Sequence, residues 1–236
     1  SEIPYYQKMM PEQIVEYCLN KKIPAIAYTY NEPTVFLEYA YDIAKLAKKN
    51  KLKNIFVSNG FTSKEGIEKI STVLDANNID LKSISNEFYE KFCGARLAPV
   101  LENIKLFHEL GVWVEVTTLV IPELNDSADE FKKIADFLVH ISPEMPWHIS
   151  RFYPQYQMID KPITRPETLF SAYEIGKKAG LKNVYVGNLK DEVRENTYCP
   201  KCCKLLIERR GYTVKNLLNE NLCAFCGEKI AGVFVQ

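Results

Sequence analysis

The chain has 236 residues, 47% of them hydrophobic and 25% charged, which is a globular composition with enough length to bury a sizeable core. Global disorder is excluded, and no apolar run approaches the ~18 residues that a membrane-spanning helix needs, so no membrane partner is expected. Thirty basic residues balance thirty acidic ones, leaving no broad cationic surface for phosphates, so nucleic acid is not an expected partner.

The opening Ser1–Lys8 has no basic stretch followed by an apolar one and does not read as a secretory signal. Along the first 190 residues, short apolar runs rich in β-formers alternate with segments of helical period, the pattern of βα units around a parallel sheet. Six strands are predicted, at 23–28, 54–58, 79–82, 113–121, 147–152 and 184–186. Helices are predicted at 34–49, 64–73, 99–110, 127–141 and 166–179. Ser127 with Glu130 forms a capping-box signature, and Pro166 and Gly180 suit a helix start and stop. Strand starts lie 25 to 37 residues apart, about one βα unit each, so the sheet is expected to curl as a barrel or an open portion of one. The composition shifts near Glu192, which places an expected boundary between a partial βα barrel over 1–191 and a small appendage over 192–236.

Cys18 and Cys93 stand alone on helical segments and read as small buried hydrophobes. The other five cysteines fall between 199 and 226. Cys199-Pro-Lys-Cys202 and Cys223-Ala-Phe-Cys226 are two C-x2-C knuckles twenty residues apart, a spacing that delivers four thiolates to one ion. The intervening 205–214 reads as a hairpin, completing a zinc ribbon with Cys203 as the spare thiol. Disulfide pairing and a rubredoxin-like iron site are the alternatives. A closed four-thiolate site has no open coordination position, so its expected role is structural. Clustered rather than dispersed cysteines point to a reducing, cytoplasmic location.

Ligands of parallel βα folds bind at the carboxyl ends of the strands. Polar residues recur there: Asn31, Glu32 and Pro33 after the first strand, Ser58 and Asn59 after the second, and Asp80 and Lys82 at the third. The fourth and fifth strands carry Glu115, His148 and Arg151. Each alone has an ordinary explanation in a turn or an ion pair. Their coincidence at successive strands points to a shared polar ligand.

Four segments in this order resemble a known family: Ala25-Ile-Ala-Tyr-Thr-Tyr-Asn-Glu-Pro-Thr34, Val57-Ser-Asn-Gly60, Ile79-Asp-Leu-Lys82 and Pro146-Trp-His-Ile-Ser-Arg-Phe-Tyr-Pro154, with the terminal knuckles. The chain is similar to the radical S-adenosylmethionine (SAM) enzymes of the AmmeMemoRadiSam system, relatives of the pyruvate formate-lyase activating enzymes. The resemblance implies a partial (β/α)6 barrel holding SAM and a [4Fe-4S] cluster, with an unidentified substrate that can be a protein. It also implies that Glu32, in Asn31-Glu32-Pro33, receives the SAM amino group, and that Ser58 and Asn59 meet methionine and ribose. Asp80 and Lys82 match an Asp-Leu-Lys element whose lysine meets the SAM carboxylate, and Glu115, His148 and Arg151 fall where later strands touch SAM or substrate. The physics agrees, because a zwitterion needs an anion and a cation held apart by a rigid frame.

The sequence departs from the family in one respect. Its C-x3-C-x2-C cluster loop has no counterpart here, and Cys18 and Cys93 cannot supply three convergent thiolates. With no Met at position 1, the expectation is that the first strand and cluster loop lie outside this chain, which by itself does not reduce SAM. Two other functions fit the same residues: an aldolase-type barrel using Lys82 as a Schiff base, and a non-catalytic module whose ribbon docks a partner.

Overall fold

The computed structural model describes residues 8–211 and 213–234; the opening Ser1–Gln7 and Tyr212 of the expected hairpin lie outside the described residues. Helix α1 (Pro11–Asn20) leads into β1 (Ala25–Tyr28), a 3-10 turn (Pro33–Phe36) and α2 (Leu37–Lys49). Then follow β2 (Lys53–Ser58), α3 (Lys64–Ser71), β3 (Ala76–Asp80), the single turn α4 (Asn86–Phe88) running into a π turn (Tyr89–Cys93), and α5 (Leu97–Glu109). The unit closes with β4 (Trp113–Val120), α6 (Ala128–Ile141), β5 (Trp147–Arg151), α7 (Pro166–Ala179) and β6 (Val184–Gly187). All six strands are parallel and lie side by side in chain order, an open partial (β/α)6 barrel.

The strands alternate in burial although they are parallel, and that alternation positions the site. Asn54, Phe56, Ile79, Val114, Val116, Trp147, Ile149, Val184 and Val186 are buried on the face that the helices cover. Their neighbours Ile55, Val57, Asn78, Asp80, Glu115, Thr117, His148 and Tyr185 point to the other, concave face and are less buried. A parallel sheet covered on both faces would read as continuous apolar runs; here one face lines a hollow. Helix α7 approaches β5 closely because residue 176 is Gly, where a Cβ would come within 3.0 Å of the Trp147 ring.

The third strand begins at Ala76, three residues before its expected start, and ends at Asp80. Asn77 and Asn78 are poor strand formers, but pairing with β2 on one side and β4 on the other overrides their preference. Glu130 also departs from expectation. Ser127 caps α6 by accepting from the Glu130 N–H at 3.1 Å, but the Glu130 carboxylate reaches out to accept from Ser83 Oγ and from the Ile84 N–H at 2.7 Å. Two loop donors outcompete one helix-end amide.

After β6 come β7 (Thr197–Tyr198), β8 (Leu205–Arg210) and β9 (Thr213–Asn216), an antiparallel sheet turning at Gly211, and the pair β10 (Leu218–Asn219) and β11 (Leu222–Cys223). Their small apolar cluster, Cys199, Leu206, Cys223 and Ile230, is separate from the main core. Among the described residues no helix is long and apolar enough to cross a membrane.

Two buried asparagines make opposite predictions. Asn54 Nδ2 donates to the Ala44 and Val73 carbonyls at 3.0 Å each, and its Oδ1 accepts from the Tyr28 hydroxyl at 2.9 Å. Neither amide atom of Asn77 has a partner among the described residues. Asn54→Ala therefore orphans the Val73 carbonyl and the Tyr28 hydroxyl, the Ala44 carbonyl keeping its bond within α2, and is expected to lower stability by about 3 kcal/mol, whereas Asn77→Val is expected to be neutral or stabilising. Denaturant unfolding of both variants checks this.

Candidate functional site

Glu32 precedes the 3-10 turn, and its carboxylate ties the ends of the first two strands together. Oε1 accepts from the Ser58 hydroxyl at 2.8 Å, the Thr34 hydroxyl at 2.9 Å and the Thr34 N–H at 3.2 Å. Oε2 accepts from the Asn59 N–H at 2.7 Å and has no other partner among the described residues. The tight bend after Asn59 requires glycine: Gly60 has φ +73°, and a Cβ there would lie 2.7 Å from the Ile79 side chain. Asn103 fixes this bend by donating to the carbonyls of Gly60 and Thr62 at 2.8 Å each. Pro33 is buried within the turn and Asn31 is exposed beside it.

The pairing of Ser58 with Ile79 sets Asn59 beside Asp80 at the next strand end. There Lys82 Nζ meets Asp80 Oδ2 at 2.8 Å, with both side chains more than a third exposed. The backbone that carries Lys82 is held from all sides. Its N–H donates to the Tyr89 hydroxyl at 3.1 Å, its carbonyl accepts from Asn125 Nδ2 at 2.6 Å, and the Leu81 carbonyl accepts from the Thr118 hydroxyl at 2.9 Å. Glu130 clasps the next two residues. Glu32, Ser58, Asn59, Asp80 and Lys82 thus share one rim, formed by the carboxyl ends of β1, β2 and β3.

Arg151 stands at the carboxyl end of β5, where its Nε donates to the Thr164 carbonyl at 2.8 Å and its guanidinium lies over the Tyr153 ring at 5.2 Å. Glu115 and His148 sit lower, near the amino ends of β4 and β5 on the concave face, and form a pair of their own. Glu115 Oε2 is 2.7 Å from His148 Nε2, and its Oε1 accepts from the Trp113 indole N–H at 2.9 Å. His148 stacks on Tyr185 at 5.1 Å, and the Tyr185 hydroxyl lies 2.9 Å from Thr197 Oγ1 of the ribbon. Burial pushes the Glu115 carboxyl up, but the hydrogen bond and charge of His148, the Trp113 N–H and the charge of Arg209 outweigh it and hold the group below the ordinary carboxylate range.

In the ribbon the four sulfurs of Cys199, Cys202, Cys223 and Cys226 lie within 4.8 Å of one another. Cys199 and Cys226 are 3.6 Å apart and Cys202 and Cys223 3.7 Å apart. These separations match the ~3.8 Å edge of a tetrahedron with ~2.3 Å metal–sulfur bonds, so the group can hold one metal ion. Burial raises the Cys199 thiol, but the amides of Cys202 and Lys201 and the adjacent thiols bring it down to about 7. The Glu228 amide pulls Cys226 down, yet burial and its three neighbours push it up to about 12. Only a cation lets all four ionise together. No second group of three cysteines converges among the described residues: Cys18 is buried on α1, Cys93 lies at the end of the π turn and Cys203 is exposed. The described residues therefore do not fit an iron–sulfur cluster held by three thiolates outside the ribbon.

Sequence reading assigned Glu130 only a capping role and Thr34 and Arg209 no part in a polar site, and it did not single out Tyr89, Asn125 or Tyr185. The Thr after Glu-Pro and the every-second-residue pattern Trp113, Glu115, Thr117 were available signals. The contacts from Asn125 and Glu130, more than 40 residues from the backbone they hold, were not.

An open parallel βα sheet with an acid and an ammonium on its carboxyl rim defines a partial barrel of the type that binds small charged ligands there. Residues 1–138 match the Radical SAM superfamily, and the chain belongs to it. It is 45% identical over 233 residues to the uncharacterized protein MJ0808 of Methanocaldococcus jannaschii, an alignment covering 97% of this chain and 69% of that protein. Its fold is similar to a domain of pyruvate-formate lyase-activating enzyme from Bacteroides vulgatus, with TM-score 0.60 and 21% identity, covering 69% of this chain and 98% of that one. It is also similar to Streptococcus suis SuiB bound to S-adenosylmethionine, with TM-score 0.62 and 11% identity, covering 78% of this chain and 45% of that one.

A carboxylate with a lowered folded-state pKa stabilises the protein above its unfolded pKa, and that contribution disappears as pH falls through the folded value. The stability difference between the native chain and Glu115→Gln is therefore expected to be full near neutrality and to shrink below about pH 4.5, the group's ordinary value. Thermal unfolding of both proteins at pH 6 and pH 3 measures it.

Proposed function

We propose that the rim holds the methionine moiety of SAM, and that the protein is a radical SAM enzyme resembling those of the AmmeMemoRadiSam system. The carrying observation is the shared rim. Glu32 retains acceptor capacity on Oε2 for an ammonium, and Lys82 offers a cation to a carboxylate one strand-end away. Ser58 and Asn59 are fixed between them by the Glu32 carboxylate itself. The exposed part of the Lys82 ammonium is free to exchange Asp80 for a ligand carboxylate. Lys82 is more than a third exposed and already paired with Asp80, not desolvated as a Schiff-base nucleophile would be, which supports a binding role.

When bound beside a reduced [4Fe-4S] cluster, SAM supplies a 5'-deoxyadenosyl radical that abstracts hydrogen from a substrate. The chain's own part is to orient the methionine, hold the charges apart and present the hollow below. Three convergent thiolates outside the four-cysteine group are not among the described residues, so the activity expected of these residues is to bind and orient SAM. Calorimetric titration of SAM into this chain is expected to show weak binding, at least tenfold weaker in Glu32→Gln and in Lys82→Ala, each a loss of about 1.4 kcal/mol or more. Tight binding that neither variant weakens contradicts the reading.

We also propose that the four-cysteine group holds structural zinc, giving a barrel over 1–191 and a ribbon over 192–236. The separate apolar clusters support this division. Purified protein is expected to contain one zinc per chain, lost in Cys226→Ser. Stripping the metal should unfold the ribbon while leaving the main core folded, since a core of four residues cannot sustain itself. Metal analysis with limited proteolysis tests both points, and iron in place of zinc refutes the identity.

A further inference from the structure

Between the concave sheet face and the ribbon lies a cavity of about 360 Å³, at the opposite end of the hollow from the rim. Its walls are largely apolar, with Ile55 and Trp113 from the sheet, Ile207 from the ribbon and Phe234 from the tail. Glu115 from β4 and Arg209 from β8, of opposite charge, both line it. Arg209 is near enough for its charge to lower the Glu115 carboxyl, yet among the described residues the two form no ion pair.

Each of these groups is anchored but not saturated. Arg209 Nη1 donates to the Glu195 carbonyl at 3.0 Å and to Thr197 Oγ1 at 2.9 Å, and its guanidinium lies 5.3 Å from the Tyr185 ring centre. Its Nε and Nη2 have no partner among the described residues. Each Glu115 oxygen accepts a single bond, one from Trp113 and one shared with His148, which leaves a lone pair on both. Lys53, also in the wall, is paired at 2.8 Å with Asp75, whose other oxygen accepts from the Asn54 N–H at 2.9 Å, so this pair is held on both sides. An anion lodged alone beside Arg209 would face the Glu115 charge, and a cation alone beside Glu115 would face Arg209. A ligand carrying both charges satisfies both.

We propose that this cavity binds a free α-amino acid with an aromatic or large aliphatic side chain, its carboxylate on Arg209, its ammonium on Glu115 and its side chain against the apolar wall. The volume falls in the range of small-molecule sites. The site does not rest on SAM occupying the rim, whose zwitterion is assigned to different residues, Glu32 and Lys82.

Trp113 lines the cavity while Trp147, the other tryptophan, is fully buried in the core, so indole fluorescence reports occupancy. Titration with L-phenylalanine, L-tyrosine and L-leucine is expected to give a saturable change for at least one. For that amino acid, the analogue lacking the ammonium and the amide lacking the carboxylate should bind at least tenfold more weakly. Arg209→Gln should weaken the amino acid tenfold or more and leave its amide unchanged, with partial recovery in Arg209→Lys. Ala76→Leu, which fills the cavity from the sheet and leaves Arg209 in place, should abolish binding even if Arg209→Gln does not fold, whereas Lys82→Ala should not alter it. The proposal fails if no amino acid binds up to about 10 mM by fluorescence or calorimetry, if Ala76→Leu binds normally, or if Lys82→Ala removes the binding.

Discussion

Everything in this molecule follows from a parallel sheet that helices cover on one side only. Each strand then buries every second residue, most of them apolar, and is released from that demand at the others. Phe56 and Ile79 illustrate the first set, and Val57, Asn78 and Asp80 the second. Because side chains alternate with a period of two, the released positions from six strands converge on one hollow. The polar residues there are not exceptions to a hydrophobic core; they belong to a different face.

The rim shows how a backbone is made rigid where chemistry needs it. Glu32 gathers donors from its own turn and from the neighbouring strand end, so the carboxylate is positioned before any ligand arrives. Lys82 is placed differently. Its side chain is exposed, but its backbone is held by Tyr89 and Asn125, with Thr118 and Glu130 fixing the residues on either side. Immobilising the frame and leaving the ammonium mobile suits a group that must exchange one carboxylate partner for another.

The ribbon does more than cap the chain. Arg209, Thr197 and Ile207 meet Tyr185 and the inner sheet face, so a segment with its own small core completes a wall of the barrel's hollow. That arrangement links the four-cysteine group to the polar interior through β8 and β7, without any cysteine entering the hollow.

The alternation of strand and helix, the two knuckles and the polar residues at strand ends were all legible in the chain, because each is a local pattern of spacing. Period-two burial in 113–120 and the Asn-Gly bend are written in consecutive residues. The first three residues of the third strand, 76–78, were not legible, because two asparagines in it are overruled by neighbours that pair on both sides. Nor was the placement of Glu115 and His148 as a pair apart from the rim, which depends on strand register. The amino acids alone determined the class of fold, the thiolate group and which residues could carry charge. Tertiary structure decided which charges meet, since contacts such as Asn125 to Lys82 or Arg209 to Tyr185 arise only once distant segments are packed against one sheet, and no local propensity encodes them.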